Sequence, residues 1–147
     1  MTLEDTAIVR LLYEEAFNKG NIEILDEILA RNFVDHNPVA GQAPTREGYK
    51  SAIAQLHALP LKWQFTIGHI ARTGDLVVVS ITAHPVRHGA PEQDIAAEQQ
   101  MVRGAVLYRI VNGKITDRWG ATGPMQQLGM LSAPPGTAGE EDSVHVL

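Results

Sequence analysis

The chain contains no cysteine. That absence removes disulfides, thiolate nucleophiles and cysteine-ligated zinc or iron–sulfur sites together, so any chemistry has to come from histidine, carboxylates, tyrosine, arginine or the backbone. No apolar run reaches the roughly 18 residues that a membrane span needs. The N-terminus, Met1-Thr2-Leu3-Glu4-Asp5, is acidic where a secretion signal would be basic. The expectation is a cytoplasmic protein with no membrane partner. A basic excess is missing too. Lys and Arg total 12 against 17 Asp and Glu, and the formal net charge is -5 with a sequence pI of about 5.6. Tracking a phosphate backbone needs clustered Lys and Arg, so nucleic acid is not an expected partner. No internal repeat is visible.

What is present suits one folded domain. At 147 residues and 16.0 kDa, with 44% hydrophobic and 20% charged residues, the composition is that of an ordinary globular chain. Such a chain buries roughly two-thirds of the surface exposed when unfolded. The domain is read as residues 1–131. Residues 132–147 contain Pro134-Pro135-Gly136 and Glu140-Glu141-Asp142 and read as a flexible tail.

Helical spacing dominates the first part. Ile8, Leu11, Leu12, Glu15 and Ala16 form a stripe flanked by Tyr13 and Phe17, ended by Gly20. Asn21 caps a second, shorter helix with Ile22, Leu25, Ile28 and Leu29 on one face, and a short strand, Asn32 to Asn37, stops at Pro38. Thr45 stands at the N-cap of a third helix that carries Tyr49, Ile53 and Leu56. From Lys62 onward the period becomes two. Trp63, Phe65 and Ile67 share one strand face, Leu76 to Ala83 is a strongly apolar strand, and Gln100 to Val111 is another. Pro85 to Glu98 reads as a loop bordering a cavity. Asn112-Gly113, between Val106–Val111 and Lys114–Ala121, is the strongest short-range hairpin signal, because both central residues of a type I′ turn need positive φ. Helices first and antiparallel hairpins afterwards give an α+β fold with helices packed on one sheet face.

Several segments fall in an order that resembles the SnoaL-like polyketide cyclase family: Tyr13-Glu14-Glu15-Ala16-Phe17-Asn18-Lys19-Gly20-Asn21, Phe33-Val34-Asp35-His36-Asn37-Pro38, Gly74-Asp75-Leu76-Val77-Val78 and Tyr108 to Ile115, then Trp119 and Gln127-Leu128-Gly129. The resemblance implies a cone-shaped α+β barrel of the nuclear-transport-factor-like superfamily, with three N-terminal helices on a curved, mostly antiparallel sheet and a pocket between them. Relatives on that fold include cyclases that perform an intramolecular aldol closure, ketosteroid isomerases and epoxide hydrolases. In the cyclases an Asp a few residues beyond the Trp is the general acid/base, and a His from a Thr-His-x-Gly type segment assists. Here Trp119 is followed by Gly120-Ala121-Thr122-Gly123-Pro124, so the Asp is absent, and the nearest histidines are His84 and His88.

His36 is the candidate base. It ends the strand entering the cone, where isomerase-like relatives place a carboxylate, and imidazole is the side chain whose unperturbed titration falls nearest neutral pH. Alternation lets only one of Asp35 and His36 point inward, and the expectation is His36. His84 is the candidate assistant, with Ser80 and Thr82 on its face. Asn37, Trp63, Arg103, Tyr108 and Trp119 are the candidate substrate contacts; an inward Arg would orient an enolate, while Tyr and Trp offer an apolar body with a polar tip. Asp117, on the face of Trp119, is the one nearby carboxylate that could stand in for the missing Asp. His84 and His88 have metal-like spacing, but Pro85 prevents the helix that would align them, and no metal or other cofactor is expected. The functional expectation is a cofactor-free cyclase or isomerase acting on a small apolar, oxygenated molecule. The rivals are a non-catalytic ligand-binding protein and an assembly domain that pairs through its convex sheet face. A homodimer is compatible with each.

Overall fold

A computed structural model of the chain describes residues 4–86 and 101–120. His88, the greater part of the expected cavity-bordering loop, the Gln127-Leu128-Gly129 segment and the expected tail at 132–147 lie outside the described residues. Helix α1 (Asp5–Leu11) continues without a break into a π-helical segment, Leu12–Asn18, and is followed by α2 (Ile24–Ile28), β1 (Leu29–Asp35) and α3 (Arg46–Ala58). Strands β2 (Lys62–Thr73), β3 (Leu76–Val86), β4 (Val102–Val111) and β5 (Lys114–Gly120) complete an α+β fold with a curled, unclosed five-stranded sheet in the order β1-β5-β4-β3-β2. Among the described residues, no helix is long and apolar enough to cross a membrane.

Local chemistry accounts for several of these boundaries. The Thr45 hydroxyl accepts from the Gly48 N–H at 3.2 Å, so α3 starts on a side-chain cap. Asn112 and Gly113 adopt φ 52° and 76° between Val111 and Lys114, the two-residue turn that matches the twist of β4 and β5. Strand β3 runs past Ala83 through His84 and Pro85. Pro85 is tolerated because the β4 partnership has ended at Ala83 and, among the described strands, only β2 lies alongside.

The π segment changes which side chains face the core. Its wider turn rotates Tyr13 and Phe17 inward, where they stack with centroids 4.9 Å apart, whereas α-helical spacing leaves them flanking the stripe. Asn18, at the end of that segment, takes the Phe65 N–H on its Oδ1 at 2.7 Å and gives its amide to the Phe65 carbonyl at 2.9 Å. It thereby satisfies backbone groups on β2, an edge strand of the described sheet.

Only antiparallel hairpins are legible in the sequence, but β1 joins β5 in parallel, pairing Val34 with Asp117 and Asp35 with Arg118. The long stretch of chain between them permits such a partnership. A bulge then shifts β5 by one residue: Arg109 pairs with Asp117 and Ile110 with Ile115, leaving Thr116 extra. Because of it Ile115 and Arg118 both face the core, and Asp117 and Trp119 face outward.

Candidate functional site

The alternation of β1 is anchored by Phe33, which is buried against Tyr49 with ring centroids 5.3 Å apart. Two residues on, Asp35 must share that face and is 1% exposed; His36 must take the other. This reverses the expected orientation of the two. Burying a carboxylate is costly unless it is paired, and the residue opposite on β5 is Arg118, itself 6% exposed. Arg118 Nη1 donates to Asp35 Oδ1 at 3.0 Å. Asp35 also accepts from the Asn37 N–H at 3.1 Å and from the Gln42 amide at 2.8 Å.

Around this pair stand all three tyrosines of the chain, Tyr13, Tyr49 and Tyr108, each buried. The Tyr13 and Tyr108 hydroxyls are 2.7 Å apart, those of Tyr49 and Tyr108 3.5 Å, and the Arg118 guanidinium lies 5.7 Å from the Tyr49 ring centre. Burial pushes all three phenols above their ordinary range, so they are neutral hydrogen-bond donors at any physiological pH. For Arg118, burial works to lower the pKa, but the Asp35 carboxylate, followed by the ring of tyrosines, more than offsets it and leaves the value raised.

The cluster has more donors than acceptors. Three hydroxyls joined by two contacts leave one O–H proton without an acceptor among the described residues, and Arg118 Nε is buried with no hydrogen-bond partner among them. The guanidinium reaches this position by lying over Gly120, where a Cβ would come within 2.5 Å of Arg118 Nη2.

The candidates chosen from sequence divide between the two sheet faces. Tyr108 lies at the centre of the buried cluster, and Trp63 is half-buried on the core side of β2. Asn37 has a structural part: its carbonyl accepts from Arg118 Nη1 at 3.3 Å and its Oδ1 from the Gly120 N–H at 3.0 Å, closing the end of β5. His36, His84, Arg103 and Trp119 are on the outer face. His36 stacks flat on Trp119, centroids 4.6 Å apart, and donates from Nε2 to Asp117 Oδ2 at 2.8 Å. The Arg109 guanidinium lies 5.2 Å from the Trp119 ring centre. His84 sits opposite Gln64 on the β2–β3 ladder, and Arg103 opposite Thr82 on β3–β4. An exposed histidine and aromatic at strand ends carry no pattern that distinguishes outer from inner face once a bulge intervenes. Arg118, Tyr13, Tyr49 and Gln42 are absent from the sequence-based site because no local pattern ties them to the end of β1, and Asp35 because His36 is preferred at the inward position. Among the described residues, no three His, Asp or Glu side chains converge as metal ligands would.

The SnoaL-like domain family matches residues 9–118, nearly the whole described fold. The chain belongs to this family. Its fold is similar to that of wild-type IdmH, a candidate polyketide cyclase from Streptomyces antibioticus, with 26% identity, a TM-score of 0.64 and coverage of 87% of this chain and 100% of that one. A candidate polyketide cyclase from Bacillus cereus is similar in fold at 20% identity and TM-score 0.65, covering 85% of this chain and 80% of that one. An epoxide hydrolase of the LEH-like type from Mycobacterium tuberculosis is similar at 13% identity and TM-score 0.55, covering 78% of each, a likeness of fold alone. Among curated proteins no match is found. A SnoaL-like chain with such neighbours has a fold of the small-molecule cyclase and isomerase type.

Proposed function

We propose that this SnoaL-like protein is a cofactor-free enzyme that moves a proton next to a carbonyl group in a small, apolar, oxygenated molecule, as a cyclase or an isomerase does. The observation that carries the reading is the surplus of buried donors, Arg118 Nε and one phenolic O–H, beside the Asp35 carboxylate. Donors fixed in a dry site and aimed at a developing oxyanion stabilise it more than water does. The substrate carbonyl oxygen takes these hydrogen bonds. Its α C–H gives a proton to Asp35, and the electron pair moves to oxygen as the enolate. The enolate then either recovers the proton at another carbon, which is isomerisation, or attacks a second carbonyl of the same molecule, which is aldol closure, with the proton passing to the new alkoxide.

Exchange of α-hydrogens for deuterium tests this without knowledge of the final product. A panel of β-keto esters and cyclic ketones in D2O, followed by NMR, is expected to show enzyme-dependent exchange. Tyr108→Phe, which keeps the ring and removes the central hydroxyl, is expected to slow exchange by about 10²–10³-fold, the usual loss for an oxyanion donor. Ligand binding without exchange would instead favour the non-catalytic binding protein, in keeping with the missing Asp after Trp119. A second reading rests on the bonded pair of His36 and Asp117 on the outer face. If His36→Ala abolishes exchange and Tyr108→Phe does not, the proton passes through that imidazole. A homodimer through the outer sheet face is part of the proposal, supported by the half-exposed row of Val78, Leu107 and Trp119 across β3, β4 and β5.

A further inference from the structure

A cleft of about 450 Å³ lies outside the buried cluster, between the loop that follows β1 and one side of α3. Val39, Ala43 and Ala52 make its apolar lining, and Thr45, Ser51 and Gln55 add hydroxyl and amide groups. Glu47 is its one charged lining residue among those described, and Arg46 Nε and Lys50 Nζ flank it at 3.7 and 3.6 Å. The volume is within the usual range for a small-molecule site, and the mixture suits a neutral ligand with a few oxygen atoms better than an anion.

Gln42 connects this cleft to the interior. It lines the cleft, yet its Nε2 donates to Asp35 Oδ2 at 2.8 Å while its Oε1 accepts from the Val39 N–H at 3.2 Å. Its amide therefore occupies the carboxylate oxygen that Arg118 leaves free and holds the loop shut over it. Neighbouring Gly41, at φ 84° with open space around it, gives the loop a place to bend.

The geometry points to the cleft as the substrate's binding and entry site, with Gln42 as the latch whose release from Asp35 Oδ2 joins the cleft to the buried cluster. This inference rests on the reading of Asp35 as the proton acceptor. The ligand class is a neutral cyclic ketone or its enol, able to fill the apolar lining and present one oxygen to the phenols and Arg118. Gln42 is a positioning residue: it holds Asp35 until substrate takes its place.

The test uses 2-naphthol, a neutral fluorescent mimic of an aromatic enol, on the full chain. Ser51→Trp adds bulk to the cleft from an exposed helix position, at a residue that lines the cleft and has no part in the Asp35–Arg118 cluster. It is expected to weaken 2-naphthol binding strongly. Gln42→Ala is expected to raise the association rate by about tenfold in stopped-flow fluorescence, as removal of a closed state does, whereas a merely structural role would lower affinity and leave that rate alone. Tyr108→Phe tests the interior oxygen site separately. Weakening by Tyr108→Phe but not by Ser51→Trp overturns the cleft as the route and leaves the proposed function standing. Weakening by Ser51→Trp alone keeps the cleft as a site and removes its link to the interior. Absence of 2-naphthol binding by the unaltered protein overturns the inference, and so does a Gln42→Ala association rate equal to that of the unaltered protein.

Discussion

Asp35 and Arg118 lie opposite each other in the parallel β1–β5 ladder, and their side chains meet at 3.0 Å with both residues almost fully buried. His36, which follows Asp35, and Asp117, which precedes Arg118, meet at 2.8 Å on the exposed side. The end of β1 is thus held to β5 by an ion pair on the inner face and a histidine–carboxylate bond on the outer one, and the loss of one partner is expected to cost far more on the inner face.

Breaking the inner pair leaves an uncompensated charge. Asp35→Ala is expected to lose about 3–5 kcal/mol of folding stability. The double replacement Asp35→Leu with Arg118→Met, which removes both charges and retains bulk, is expected to recover most of it. Urea unfolding of the three proteins checks this. Equal losses in the single and double variants would mean that packing, not charge, is what the pair supplies.

The outer bond is worth less. A double-mutant cycle on His36→Ala and Asp117→Asn is expected to give a coupling of roughly 0.2–1 kcal/mol, since both groups are partly solvated. Partial burial alone would raise the Asp117 pKa, but hydrogen bonds from His36 and Thr116 outweigh it and hold the carboxyl below its ordinary value. A carboxyl lowered in the folded state stabilises above its unfolded pKa of about 3.9 and loses that contribution as pH falls through the folded value. Asp117→Asn should therefore lower stability at neutrality by that contribution and flatten the acid limb below about pH 4, leaving the variant and the unaltered protein alike at the acid end.

The tyrosines supply a spectroscopic check on the buried cluster. Because Tyr13, Tyr49 and Tyr108 are the chain's full complement and all are raised by burial, no phenolate absorbance should develop near pH 10, where free tyrosine ionises. Groups raised in the folded state give stability that is complete below the unfolded value and lost as pH climbs toward the folded one. Phenolate is therefore expected to form together with loss of circular dichroism, in one cooperative step above pH 10. A separate, earlier phenolate step would place at least one tyrosine in solvent.

At the β4–β5 turn, Gly113→Val is expected to cost about 1–2 kcal/mol, because a branched side chain is strained at φ 76°. Asn112→Gly at φ 52° should cost far less, since glycine enters the left-handed region freely. Thermal midpoints of the two variants give the comparison.

The amino-acid sequence by itself determined the parts of this protein that depend on neighbours a few positions apart. The Thr45 cap, the Asn112-Gly113 turn, the shared face of Trp63, Phe65 and Ile67, and the change from helical to two-residue periodicity are all local, and each is where the residues alone place it. Tertiary structure decided the site. Asp35 and Arg118 are 83 positions apart, and only the parallel ladder brings them together. Burial of a carboxylate is unfavourable without a counter-charge, and Arg118 supplies one to Asp35. The extra residue at Thr116 turns Arg118 inward and Trp119 outward, and the π turn carries Tyr13 to Tyr108. A one-residue shift in a strand reverses every face beyond it, so which of two adjacent residues is buried depends on partners that no local pattern contains.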